Sequence, residues 1–267
     1  MDKYEALLKE ISSYGKVAIA FSSGVDSTFL LYAAKEALGD NVIAITAAAP
    51  MFPRRELMET KDFCSKHKIR QIVLQDNTLE DSEFVKNSTN RCYLCKYRLF
   101  SRMKEIAAQE GFDQLMEGTN VDDLDDYRPG MQAISELDIS SPLQASGWTK
   151  EEIRNVSQKL GLYTWNKPSF ACLASRFVYG EEITSAKLQM INEAEEYLLS
   201  LGFQQVRVRL HGTMARIEVP ETEIENMTEP LIRSAVVNQL LQLGFSYVTL
   251  DLKGYQTGSM NLFLEKK

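Results

Sequence analysis

The chain has 267 residues, 44% hydrophobic and 25% charged, a composition typical of a globular protein with one large or two smaller domains. Lys and Arg number 30 against 37 Asp and Glu, and the net charge of −7 argues against a broad basic surface that follows a nucleic-acid backbone. Apolar runs such as 17–21 and 42–45 are far shorter than the roughly 20 residues of a membrane-spanning helix. Because the N-terminus lacks a secretory signal pattern, the four cysteines indicate thiol, metal or catalytic chemistry in a cytoplasmic protein.

Strands and helices alternate through the first 168 residues, which is typical of an α/β fold whose parallel, doubly wound sheet is covered by helices on both faces. Thr149, with Glu152 three residues later, predicts a capping box at the start of one helix. The predicted elements after an opening helix are strand 17–21, helix 26–38, strand 42–46, helix 54–67, strand 69–74, helix 93–109, strand 114–117, strand 139–143 and helix 149–160.

The pattern changes after Pro168, and we predict a nucleotide-binding domain over 1–168 and a smaller α+β domain over 169–267. The second domain is expected to serve substrate binding and oligomerisation. Its predicted elements are helix 183–201, a hairpin of strands 206–210 and 215–219, helix 221–243 and strand 247–252.

Residues 22–27, Ser-Ser-Gly-Val-Asp-Ser, lie between the first strand and its helix, at the carboxyl end of a parallel strand, where open α/β sheets bind ligands. Small residues let backbone N–H groups converge on phosphate oxygens, and Ser22 and Ser27 supply hydroxyls. Asp26 would repel bare phosphate, so it indicates either Mg²⁺ between carboxylate and phosphates or a simple helix cap. The chain has neither GxxxxGK[ST] nor GxGxxG, so no other phosphate motif competes for this role.

This segment resembles the SGGxDS pyrophosphate loop of the ATP pyrophosphatases, which cleave ATP to AMP and pyrophosphate while adenylating a substrate. Ser23 stands where that family usually has its first glycine, so we expect an altered backbone approach to the pyrophosphate but retained binding. Beyond this loop, the chain contains the motifs RCYLCK at 91–96, EGTN at 117–120, DDYRPG at 125–130, KP at 167–168, ACLASR at 171–176 and VRVR at 206–209. With these motifs, nearly the whole chain resembles the LarE family, ATP-dependent sulfur transferases that mature the nickel-pincer cofactor of lactate racemase.

The resemblance implies a role for each of several residues. Catalysis is assigned to Asp26, Lys96 and Cys172, and a substrate loop to Ser175 and Arg176. ATP, accompanied by Mg²⁺, is assigned to Ser22, Ser23, Gly24, Val25, Asp26, Ser27, Ala47, Gly118 and Thr119.

Cys92 and Cys95 are three residues apart at the start of a predicted helix, so both sulfurs fall on one face and could share a metal. Two half-buried thiols are the alternative. A structural zinc site usually has four protein ligands. Cys92, Cys95 and Cys172 together supply three, and three cysteines could hold a [4Fe–4S] cluster with one iron open for a substrate or sulfide. Some LarE-like proteins have a single cysteine at the position of Cys172 and donate its sulfur to the product. Others have three cysteines that hold a cluster, and this chain resembles the second kind. Cys64 is interpreted as a core residue.

The hairpin of the second domain places polar side chains on one surface. Alternation puts Arg207 and Arg209 opposite the apolar residues of their strand, and Arg216 and Glu218 on the matching face of the partner strand. From the pattern alone this could be an ordinary solvated face. The resemblance implies instead that Arg207, Arg209, Glu218 and Glu195 bind the substrate phosphate or a metal.

By resemblance, the enzyme adenylates a carboxylate of pyridinium-3,5-biscarboxylic acid mononucleotide, releases pyrophosphate, and lets sulfide displace AMP to leave a thiocarboxylate. A homo-oligomer is also implied, in the family a hexamer. Without the resemblance, the residues predict only that the protein binds ATP, activates an electrophile and has a sulfur site. One alternative is a tRNA thiolase of the same superfamily, against which the charge of −7 counts. A non-catalytic nucleotide-binding regulator would have little use for three cysteines or for Arg207 and Arg209.

Overall fold

The structure is a computed structural model that describes residues 2–125, 130–168 and 171–256. It divides into two compact units, the first of Met1–Thr78 and Asn90–Phe170 and the second of Leu79–Thr89 and Ala171–Lys267. The segment Leu79–Thr89, which the sequence analysis assigned to the first domain, groups with the second unit. Of the motif at 125–130, residues 126–129 lie outside the described part of the chain.

The helices and strands of the described residues follow in chain order: α1 (Lys3–Ser12), β1 (Val17–Ala20), α2 (Val25–Leu38), β2 (Val42–Ala48), α3 (Arg54–Lys66), β3 (Arg70–Gln75), α4 (Ser82–Val85), α5 (Arg91–Gln109), β4 (Gln114–Met116), α6 (Gly130–Glu136), α7 (Pro142–Ala145), α8 (Lys150–Lys159), α9 (Ser185–Ser200), β5 (Arg207–His211), β6 (Met214–Glu218), α10 (Ile224–Thr228), α11 (Pro230–Gln242) and β7 (Tyr247–Leu250).

In the first unit, the described strands form a four-stranded parallel sheet in the order β3-β2-β1-β4, with Val17 paired to both Val42 and Gln114. Val17 and Ile19 enter one hydrophobic core with residues of α1, α2, α3 and α8, while Ala18 enters a second core with residues of α5 and α6. The predicted α/β fold with a doubly wound parallel sheet is confirmed. Because the strand order reverses between β1 and β4, the carboxyl ends of these two strands flank the switch point at which such sheets bind ligands.

Two predicted elements are wrong in detail, and proline explains both. The predicted strand 139–143 reduces to a single bridge between Met116 and Ser140, and α7 begins at Pro142, where a missing N–H is tolerated in the first helical turn. The predicted helix 221–243 is broken at Glu229, whose backbone is extended at φ −52° and ψ 133°, because Pro230 disfavours the helical conformation in the residue before it.

In the second unit, β5 and β6 form the predicted antiparallel hairpin, with Arg207 paired to Glu218, and β7 adds a parallel strand beside β6. The segment Leu79–Thr89 is bound to this unit through its backbone. The Ile183 amide donates to Val85 O at 3.0 Å, and the Gly180 amide donates to Asn87 O at 2.9 Å. No helix within the described ranges is long and apolar enough to span a membrane.

Candidate active site

The predicted pyrophosphate loop, residues 22–27, connects β1 to α2. Gly24 is the N-cap of α2, and Ser23 has a positive φ of 55°. The hydroxyls of Ser22 and Ser27 lie 3.1 Å apart, and Ser27 Oγ also accepts from the Ser22 amide at 3.3 Å. The loop therefore gathers two hydroxyls beside the N-terminus of a 14-residue helix, whose first amides have no partner within the helix and favour anions.

The turn after β4 closes against this loop. A Cβ atom at Gly118 would lie 2.9 Å from Ser27 N and 3.1 Å from Ser27 Cα, so only glycine allows this approach. The buried Glu117 carboxylate holds the turn, because it accepts from the Thr119 amide at 3.1 Å, from the Thr119 hydroxyl at 2.7 Å and from the Ser141 hydroxyl. The sheet thus brings Gly118 and Thr119 to residues 22–27.

The Asp26 carboxylate, in the first turn of α2, has two partners from distant parts of the chain. Asn120 Nδ2 donates to Asp26 Oδ1 at 3.2 Å, and the Lys150 amine donates to Asp26 Oδ2. Lys150 is the first residue of α8, and the predicted capping box of Thr149 and Glu152 fixes that helix start. Asp26 is therefore an oriented carboxylate rather than only a helix cap.

A second charged group supports Ser23, which is fully buried. Ser23 Oγ donates to Glu59 Oε2 at 2.7 Å, and the Lys167 amine donates to Ser23 O at 3.0 Å, to Ser23 Oγ at 2.9 Å and to the Glu59 carboxylate. Nearby, burial and the charge of Glu59 raise the pKa of Tyr163 to about 12, so this phenol stays protonated at neutral pH.

Two further residues assigned to the nucleotide site lie elsewhere in the first unit. Ala47 is half-buried near the carboxyl end of β2. The side chain of Lys96, on α5, packs on Gly130 so closely that a Cβ atom there would lie 2.6 Å from Lys96 Cδ.

The four cysteines form no disulfide and lie in three environments. Cys64 is buried in the core, as predicted, and burial raises the pKa of its thiol to about 12. Cys92 is exposed and Cys95 is half-buried, both at the start of α5. Cys172 belongs to the second unit, where it precedes a short 3₁₀ turn.

No group of three or more His, Cys, Asp or Glu side chains is placed to hold a metal ion within the part of the chain that the structure describes. The donor chemistry of Cys92 and Cys95 nevertheless fits an iron–sulfur cluster, because both are accessible thiols three residues apart on one helix. The structure places Cys92 and Cys95 on one helix, and the assignment of Cys92, Cys95 and Cys172 as ligands of a cluster stays a prediction.

In the second unit, a buried ion pair fixes the turn that contains Cys172. Arg176 donates to both oxygens of Glu195 at 2.8 Å, and Glu195 also accepts from the Val208 amide at 2.9 Å. The other end of the guanidinium donates to Cys172 O at 3.2 Å and to Ser175 Oγ at 2.9 Å. Burial opposes ionisation of Glu195, but Arg176 outweighs it, and the pKa of Glu195 falls below its ordinary value.

The hairpin arginines are buried rather than solvated. Arg207 and Arg209 are 2% and 5% exposed, and Glu218 is 0% exposed, so the alternative of an ordinary solvated face is wrong. Glu218 accepts from Arg209 at 2.9 Å and from Arg216 at 3.1 Å. The Arg207 guanidinium lies 5.1 Å from the ring centre of Tyr255, and burial together with nearby positive charge lowers its pKa to about 10.

Comparison with known proteins decides the family, although no protein-family model matches the chain. The chain is 37% identical over 265 residues to the pyridinium-3,5-bisthiocarboxylic acid mononucleotide synthase of Lactiplantibacillus plantarum, an alignment that covers 99% of this chain and 95% of that protein. The chain belongs to the LarE family. Other relatives are uncharacterized proteins of Synechocystis sp., 41% identical over 99% of this chain and 98% of its own, and of Methanocaldococcus jannaschii, 28% identical over 94% of each.

Within this LarE-family chain, the structure gathers many of the predicted residues into two groups, while Ala47, Lys96 and the three predicted cluster cysteines lie outside them. Residues 22–27, Gly118 and Thr119 meet in the first unit, and Ser175, Arg176, Glu195, Arg207, Arg209 and Glu218 form one polar cluster in the second. Sequence reasoning missed Lys150, Glu59 and Lys167 as partners of the loop. The capping box locates Lys150 on a helix start, but no local pattern shows which carboxylate its amine meets.

Proposed function

We propose that this LarE-family chain is an ATP-dependent sulfur transferase that adenylates a carboxylate of pyridinium-3,5-biscarboxylic acid mononucleotide and converts it to a thiocarboxylate. The named relative is a synthase of the corresponding bisthiocarboxylic acid mononucleotide. The observation that carries the proposal is the position of residues 22–27 at the switch point of the sheet. There the start of α2 lies so close to Gly118 that a side chain at position 118 would clash with it.

In the adenylation step, a substrate carboxylate oxygen attacks the α-phosphorus of ATP, and the bond to the bridging oxygen breaks to release pyrophosphate. The helix N-terminus and the hydroxyls of Ser22 and Ser27 are suited to bind the leaving phosphates. Asp26 would hold Mg²⁺, which supplies positive charge to the pyrophosphate as it leaves. Ala47, Lys96 and Thr119 are proposed to complete the nucleotide site.

In the transfer step, sulfide adds to the acyl carbon of the adenylate and the C–O bond to AMP breaks, which leaves a thiocarboxylate. We assign Cys92, Cys95 and Cys172 as ligands of a [4Fe–4S] cluster, which when bound supplies an iron with an open position for sulfide. Arg176 sets the conformation of the chain at Cys172 through its hydrogen bond to Cys172 O.

We assign the substrate phosphate to the polar cluster of the second unit. Its arginines are desolvated and oriented, as bidentate recognition of an anion requires. Arg207 is the strongest candidate as a donor to the phosphate, because its guanidinium lies over the ring of Tyr255, which stabilises the positive charge. The chain is further proposed to act as a cytoplasmic homo-oligomer, a hexamer as the family resemblance implies; light scattering on the purified protein measures its size.

The decisive experiment measures AMP and pyrophosphate released from ATP in the presence of the pyridinium mononucleotide, of tRNA, or of neither. AMP formation that depends on the pyridinium substrate, followed by thiocarboxylate in the mass spectrum, is expected. Stimulation by tRNA alone would establish the thiolase alternative, and ATP binding without turnover would establish a non-catalytic regulator.

A further inference from the structure

Ser23 holds a backbone conformation that a serine does not favour. Its φ of 55° lies in the left-handed region, where a Cβ atom crowds the following carbonyl. Glycine, the usual residue at this position in the related loops, adopts this conformation without that penalty. Since Ser23 is also fully buried, the surrounding structure must stabilise the conformation.

Glu59 and Lys167 contact Ser23 in a way that supplies this stabilisation. The Ser23 hydroxyl is fixed between an acceptor and a donor, because it donates to Glu59 at 2.7 Å and accepts from Lys167 at 2.9 Å. Lys167 also donates to Ser23 O at 3.0 Å and to the Glu59 carboxylate. We propose that Glu59 and Lys167 are positioning residues of the pyrophosphate loop, which hold Ser23 in the left-handed conformation that glycine would reach unaided.

The contact to Ser23 O links these residues to the nucleotide. A trans peptide is planar, and its N–H points opposite to its C=O, so Lys167 fixes the Gly24 N–H to point away from itself. An ammonium group has three donors, and those of Lys167 go to Ser23 O, Ser23 Oγ and Glu59. Lys167 therefore orients the loop instead of binding phosphate directly. This inference rests on the proposed function only in that the loop binds ATP.

A double-mutant cycle between Glu59 and Ser23 tests the proposal. The affinity for ATP, by calorimetry, and the KM and kcat for AMP formation are measured for Glu59→Ala in the natural protein and in Ser23→Gly. We expect Glu59→Ala to weaken ATP binding about tenfold in the natural protein, the effect of a charge-assisted hydrogen bond, and to raise KM more than it lowers kcat. In Ser23→Gly the same substitution should change ATP affinity less than about twofold, because no hydroxyl is left to hold.

Asp62→Ala is the matched control, since Asp62 is an exposed carboxylate on the same helix. Lys167→Met, with Lys61→Met as its control, is the second variant, and it should weaken ATP binding at least as much as Glu59→Ala. The inference would be overturned if Glu59→Ala changed the affinity for ATP equally in both backgrounds, or left it unchanged in the natural protein. The proposed function would still stand in either case, as long as the natural protein binds ATP. Failure of the natural protein to bind ATP would overturn both.

Discussion

Lys150 and Asp26, which are 124 residues apart in the chain, form an ion pair in which the Lys150 amine donates to Asp26 Oδ2. The side chains are 31% and 19% exposed, so the pair is shielded from water only in part and adds little to the stability of the fold. Its importance is electrostatic: a lysine lies beside the carboxylate that the proposed reaction assigns to Mg²⁺.

Replacement of Asp26 is expected to abolish catalysis without unfolding the protein. Asp26→Ala should lower AMP formation by at least about 100-fold, because the pyrophosphate then leaves without the metal that neutralises it. The far-ultraviolet circular dichroism spectrum and the thermal midpoint should change little. Undiminished AMP production by this variant would remove residues 22–27 from the role of pyrophosphate loop.

Replacement of Lys150 is expected to alter the response to Mg²⁺. In Lys150→Met the Asp26 carboxylate loses a competing cation, so half-maximal AMP formation should require several-fold less Mg²⁺ at saturating ATP. A titration of activity with Mg²⁺ measures this, with the exposed Lys61→Met as the control. Loss of activity that no concentration of Mg²⁺ restores would show instead that Lys150 binds the nucleotide itself.

Gly118→Ala is expected to damage the nucleotide site more than the fold. The new Cβ atom would meet Ser27 N at 2.9 Å, and relief of such overpacking costs about 1–3 kcal/mol. Because the displaced backbone is that of the pyrophosphate loop, the KM for ATP should rise at least about tenfold.

Gly147→Ala separates these two effects. Its backbone is strained by a φ of +72°, but no atom lies within 4 Å of the added Cβ atom. It should lower the thermal midpoint and leave the KM for ATP unchanged. An equal rise of KM in both variants would point to general destabilisation.

Glu195→Gln is expected to destabilise the protein in a pH-dependent manner. At neutral pH the variant removes the negative charge of Glu195 from its buried ion pair with Arg176, a loss of about 3–5 kcal/mol. The pKa of Glu195 is lowered from its ordinary value of 4.5, so its contribution is complete above that pH and declines as the pH falls through the folded pKa. Urea unfolding of both proteins at pH 7 and pH 4 should show a smaller difference at pH 4. A difference of the same size at both values would contradict this.

The fate of Cys172 distinguishes two sources of sulfur. If Cys172 ligates a cluster with Cys92 and Cys95, anaerobic reconstitution with iron and sulfide should give a brown protein that makes several products per chain and keeps its mass. Cys92→Ala should lose the colour and the sulfur transfer but retain adenylation, while Cys64→Ala, altered in the core, should retain all three. Dehydroalanine at position 172 in proportion to product would establish a sacrificial mechanism.

Local patterns predicted most strands and helices of both units, because each such pattern depends only on residues that are neighbours in the chain. The apolar run at 17–21, the capping box at Thr149 and the alternation in the hairpin are such patterns. The partners of the loop could not be predicted, since Glu59 and Lys167 meet Ser23 from 36 and 144 residues away. The burial of Arg207 could not be predicted either. Alternation along a strand assigns a side chain to one face of the sheet but does not show what covers that face.

The second unit contains a segment, Leu79–Thr89, that precedes much of the first unit in the chain, and this order has a consequence for biosynthesis. Leu79–Thr89 leaves the ribosome before the 81 residues of 90–170, yet its backbone partners, Gly180 and Ile183, are made only afterwards. At about 5–20 residues per second, synthesis of residues 90–183 takes roughly 5–19 s, and Phe84, which is 1% exposed in the finished fold, is made before that interval begins. A gene fragment that starts at residue 171 would lack this segment altogether. Completion of the second unit is therefore tied to synthesis of the whole first unit, and chaperone demand should be greatest in that interval.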